Sequence, residues 1–140
     1  MGFYKKGIKG KLDIIFSRYI RFRDNWTCKR CGKKYAPKAT HSIHAAHIEG
    51  RGKESVRWNP KNVFALCYGC HKFIDSYPVK KHEWFIGKFG QGAYDDLVFE
   101  SNRPSHFKKH DIEEMIDYYK TELNKLMKDG GYNENFRTTS

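Results

Sequence analysis

Four cysteines fall as two C-x2-C pairs, Cys28 and Cys31 in C-K-R-C-G and Cys67 and Cys70 in C-Y-G-C, with 35 residues between the pairs. Two-residue spacing lets one tight turn aim both sulfurs at a single ion, and Gly32 and Gly69 favour such turns. Two pairs therefore predict a tetrahedral structural Zn2+ on Cys28, Cys31, Cys67 and Cys70, and any fold must bring the pairs to one point. Disulfides are the alternative, disfavoured in a reducing compartment; a redox C-x2-C needs one pair rather than two.

A chain of 140 residues with ten Phe, nine Tyr and three Trp can bury a core, but a small one, which a metal staple would help. The longest apolar run is Val63–Cys67, too short for a signal-peptide core or a membrane span. The expectation is an intracellular, cytoplasmic protein with no membrane partner.

Charge is uneven. Residues 1–61 carry 16 lysines and arginines against 4 acids, a balance of +12, and residues 62–140 come to −1. Lys and Arg release counterions from phosphates, so the basic half suits a polyanion; a solvated surface that aids solubility is the plain alternative.

The pattern along the chain predicts an α+β fold. Residues 1–10 hold three glycines, three lysines and no acid, and are expected to form a flexible basic arm. From Lys11 to Asp24 the apolar Leu12, Ile15, Phe16, Tyr19 and Ile20 mark one helical face, with Arg18, Arg21 and Arg23 off it and facing solvent or DNA. Ile43–Ile48 and Asn62–Leu66 read as strands, and the polar, basic stretch between them as a surface loop. A short helix is expected after Cys70, and a packing helix within Ser76–Phe89 from Pro78. Asp111–Lys128 reads as a helix with an Asp111/Glu114 capping box and a stripe of Ile112, Met115, Ile116, Tyr119, Leu123 and Leu126. That stripe suits either packing within the chain or a homodimer. The organisation expected is an arm (1–10), a zinc-stapled core (11–90), a C-terminal helical extension (91–128) and a loose tail (129–140).

Inside the loop closed by the cysteines stand His47 and Asn62, and His71 follows directly on the second pair. The spacings, with H-x-x-H-I-x-G-R, R-W-N-P-x-N and L-C-x-x-C-H, resemble the HNH or ββα-metal nucleases in their zinc-stapled form. The longer pattern, with L-D-x-x-F-S-x-Y-I-R-x-R-D at Leu12–Asp24, is similar to phage HNH proteins related to the NinG (Rap) recombination endonucleases, over about residues 11–90.

The resemblance implies a small ββα-metal core and a DNA endonuclease, phage-encoded and acting on branched or recombination-intermediate DNA. A freestanding homing or nicking enzyme and a non-catalytic zinc DNA-binding module are the alternatives. It places His47 as general base, Asn62 as the residue that orients the base, and His71 as ligand to a catalytic divalent ion, Mg2+ or else Mn2+ or another transition metal. Asp75, one helical turn on, is a further candidate ligand. The family's other ligand position, immediately before the base, is Ala46 here, and His44 is the substitute, although on a regular strand it reaches the same ion only through a bulge. Arg51, Lys53 and Arg57 in the loop are candidate phosphate contacts, with Arg51 and Arg57 fitting the pattern best. His41, His82, His106 and His110 read as surface histidines.

Overall fold

Both strands form, each a residue from its expected bounds. β1 (Ile43–His47) and β2 (Val63–Cys67) pair antiparallel, with Ile43 opposite Cys67 and His47 opposite Val63. In this computed structural model, which describes residues 7–130, the pair is followed at once by α3 (Tyr68–Ser76). Around it lie α1 (Gly7–Arg23), α2 (Glu54–Arg57), α4 (Pro78–Phe89), α5 (Gln91–Ser101) and α6 (Lys109–Asp129). Residues 1–6 of the expected arm and 131–140 of the tail lie outside the described residues.

Alternation of side chains sends the neighbours Val63 and Phe64 to different clusters. Ala45 and Val63 join a cluster under α1 and α6, built from Leu12, Ile15, Phe16, Ile20, Trp58, Ile112, Ile116 and Tyr119. Phe64 joins Ile48, Val56, Phe85 and Leu97 under α4 and α5. The apolar stripe of α6 is therefore buried within the chain, on α1. The stretch from residue 91 packs on the same strands as the rest of the molecule. Pro78 stands in the first turn of α4, where its missing N–H costs nothing, and Gly90, at φ +97°, turns α4 into α5. Among the described residues, no helix is long and apolar enough to cross a membrane.

Several expectations need correction. α1 begins at Gly7, so four residues assigned to the arm are helical, and Gly10 is buried. Arg21 and Arg23 do not face solvent or DNA. Arg21 donates from Nε to the Ile43 carbonyl (3.0 Å), and Arg23 donates to the carbonyls of Pro60 and Val63 (2.7 Å each). The end of α1 thus clamps both strands. The stretch between the strands is not all surface loop: it holds α2, and Val56 and Trp58 are buried. At α6, Asp111 lies inside the first turn rather than capping it, accepting the Lys108 amide at 2.8 Å. Near the other end, Met127 is buried and Leu126 only partly so.

Candidate metal centre and histidine site

The first cysteine pair sits on a small hairpin. Thr27 and Lys34 bridge across it, the Cys28 amide donates to the Lys33 carbonyl, and Gly32, at φ +82°, closes the turn. The second pair spans the junction of β2 and α3, where Cys67 both ends the strand and caps the helix. Each pair places an amide on its own leading sulfur: Cys31 N on Cys28 Sγ and Cys70 N on Cys67 Sγ, both 3.4 Å. All four sulfurs lie within 4.8 Å of one another, with Cys31 and Cys67 at 3.8 Å, and none is in a disulfide. A tetrahedron of thiolates at about 2.3 Å from zinc has edges of about 3.8 Å. The four cysteines can hold one zinc ion.

The histidines divide into two sets. His44 and His71 meet directly, Nδ1 to Nδ1 at 2.9 Å, with no bulge in β1. The regular strand brings His44 to His71 because α3 carries His71 back to it. His71 Nε2 lies 3.2 Å from Asp75 Oδ2, one turn along α3, and His44 Nε2 lies 3.2 Å from the His41 carbonyl. Two imidazole nitrogens 2.9 Å apart have the separation of neighbouring ligands around one ion at about 2.1 Å. Asp75 is on the far nitrogen of His71, where it can orient the ring. The cysteine quartet is the group of three or more ligand side chains that closes on one point among the described residues; His44, His71 and Asp75 make a chain of contacts. Burial holds the His71 pKa below its ordinary value, with Asp75 opposing.

His47, three residues along β1, points to the opposite face from His44, about 10 Å along the strand. Its Nε2 lies 2.9 Å from the Arg57 carbonyl, which only accepts, so Nε2 carries the hydrogen and the lone pair is on Nδ1. Burial lowers its pKa, the bond to the Arg57 carbonyl raises it, and Arg51 lowers it further. The imidazole is neutral at neutral pH and orientated by main chain.

The expected orienting residue, Asn62, does not touch His47. Fully buried, its side chain accepts the Glu49 amide (2.7 Å) and donates to the carbonyls of Glu49 (2.9 Å) and Val56 (3.0 Å). It fixes the segment between the strands, and that segment, through Arg57, holds His47.

Each expected phosphate contact also has a partner within the chain. Arg51 and Arg57 both donate to Asp13 of α1, and Lys53 Nζ lies 3.0 Å from Asn102 Oδ1. Asp13, 9 % exposed, was not among the candidate residues. Its signal was present: it is the only acid in residues 1–23, and it stands three and seven residues before the buried Phe16 and Ile20. Two concavities of about 650 and 660 Å³ lie elsewhere, between α5 and α6 and along α4 and α5, and neither is lined by His44, His47 or His71. His44, His47 and His71 are each partly exposed. Exposed Arg30, Lys33, Lys34 and Lys38 on the first cysteine hairpin, and Lys61 before β2, add positive charge.

Residues 4–129 match the model of the family described as Bacteriophage Lambda NinG protein, and the chain belongs to that family. No curated protein and no solved structure matches it.

Proposed function

We propose that this member of the NinG family is a divalent-metal-dependent HNH endonuclease, phage-encoded and acting on branched or recombination-intermediate DNA. The observation that carries the reading is His47: a half-buried, neutral imidazole whose Nε2–H is given to the Arg57 carbonyl, with Nδ1 left for a proton and two guanidiniums in its field. Phosphodiester hydrolysis needs such a base. Nδ1 takes the proton of an attacking water while nearby cations favour the phosphate and its growing charge. The strand–strand–helix order and the Asn62 brace across the intervening segment support the ββα-metal assignment. His71 and His44 would hold the divalent ion, with Asp75 orienting His71, and the ion, when bound, supplies Lewis acidity to the phosphate oxygens. The cysteine zinc is a separate ion that fixes the start of α3.

One observation favours a second reading, a zinc-stapled DNA-binding module without catalysis. His44 and His47 lie on opposite faces of β1, and Ala46 stands between them where the family carries a ligand. The test is a nicking and cleavage assay on supercoiled, linear, single-stranded and four-way-junction DNA, with Mg2+ or Mn2+ against EDTA. The nuclease reading expects metal-dependent cleavage, fastest on the junction and absent from His47→Ala. Tight binding with no cleavage under any metal selects the second reading.

A further inference from the structure

Asp13 is a buried carboxylate to which the mechanism above gives no role, and it gathers four donors. Oδ1 accepts Arg57 Nε (3.1 Å) and Trp58 Nε1 (2.9 Å), while Oδ2 accepts the terminal nitrogens of Arg51 and Arg57. An acid that merely anchored α1 would be satisfied by one cation. This one holds two guanidiniums side by side, one net positive charge in excess, within the field of His47. The Arg57 guanidinium also lies over the Trp58 ring at 4.8 Å. With its side chain tied to Asp13, Arg57 presents its main-chain carbonyl to His47.

We infer that Asp13 is a positioning residue: from α1 it fixes Arg51 and Arg57 as a preset cationic pair and, through Arg57, the carbonyl that orients the His47 imidazole. The inference rests on the nuclease reading. Asp13 touches neither water nor phosphate; it acts through the two arginines. Preset cations need no reorganisation as charge develops on the phosphate, so the benefit falls on the chemical step more than on binding.

The test compares wild type, Asp13→Asn and Asp13→Glu on a fluorescently labelled four-way junction, following binding against salt and single-turnover cleavage against pH. Asp13→Asn removes a negative charge, so DNA binding should hold or tighten and its salt dependence should become no shallower. Cleavage should fall roughly 10–100-fold, as expected for misplaced catalytic groups. The acid limb of the rate profile should move to lower pH, because the carboxylate that supports the imidazolium is gone. Asp13→Glu keeps the charge but moves the guanidiniums, and should bind normally and cut slowly. A residue that only holds the fold would lose binding and cleavage together and leave the acid limb in place; that pattern overturns the inference. Wild-type cleavage by Asp13→Glu overturns it too, even if Asp13→Asn does not fold. If the wild-type chain cuts nothing, the nuclease reading fails first and the role given to Asp13 fails with it.

Discussion

The cysteine corner and the histidine side are both sets of metal-ligand side chains, yet the protein treats them differently. The sulfurs converge to within 4.8 Å, amides point at two of them, and they hold apart as free thiols at a spacing that suits an ion between them. The imidazoles are already provided for: His44 by the His41 carbonyl and His71, His71 by Asp75, His47 by the Arg57 carbonyl. Ligands with protein partners can wait for an ion; thiols crowded together without one have little to hold them. The difference suits the cysteine site to an ion built into the fold and leaves the proposed histidine site to an exchangeable one.

The sharpest way to break that contrast is to remove a sulfur. Cys70→Ser should cost more than about 5 kcal/mol, enough to abolish a cooperative melt, since structural zinc sites supply folding free energy outright. Metal analysis after dialysis against a mild chelator should find one zinc in the wild type; a Cys70→Ser protein that melts normally would erase the distinction. On the histidine side, His47→Ala should leave the melt almost unchanged while cleavage falls by ~10²–10⁴, checked by thermal denaturation beside a nicking assay. Asn62→Ala sits between the two regions. It orphans the buried Val56 carbonyl and the half-buried amide and carbonyl of Glu49, and should cost on the order of 3 kcal/mol, measured by urea denaturation, with activity falling as well. Asp75→Asn should weaken divalent-ion binding by about 10–100-fold, as for other groups that orient a ligand, with zinc content untouched; calorimetric titration reads both.

The smallest effect is that of pH. His47 has a folded pKa below its ordinary value of 6.5, so between the two values the unfolded chain binds more protons. The contribution to stability is full above the ordinary value and is lost as pH falls through the folded one. The acid limb of the cleavage rate should likewise lie below 6.5, where an ordinary exposed histidine would place it. A limb above that value would mean that the partial burial of His47 does not set its pKa.

Local signals were legible where the chemistry is local. The cysteine spacing, the stripes of α1 and α6, Pro78 at the start of α4 and both strands can be read from neighbours in the chain. Missed features depend on partners far away in sequence. Arg21 and Arg23 look like solvent-facing charges until strands 20 to 40 residues later offer them carbonyls. Asp13 looks like a minor acid in a basic helix until Arg51, Arg57 and Trp58 fold onto it. The role of Asn62 was displaced for a simpler reason: hydrogen bonds to main chain leave no mark on residue type, so the Arg57 carbonyl that holds His47 has no sequence signature.

Tyr119, in the last helix, gives its hydroxyl hydrogen to the Trp58 carbonyl at 3.0 Å, next in sequence to the carbonyl that holds His47. Synthesis runs from the N-terminus, and domains fold as their residues emerge. The cysteine corner is complete once residue 70 has left the ribosome, but the seat of Trp58 waits for α6. A growing chain therefore acquires its zinc-binding frame about fifty residues before the surroundings of His47 are closed (Cys70 to Tyr119). Timing of this kind closes the surroundings of His47 only after α6 has emerged. Stalled chains ending before Lys109 are expected to bind zinc and to leave Trp58 exposed, which tryptophan fluorescence on such chains would detect.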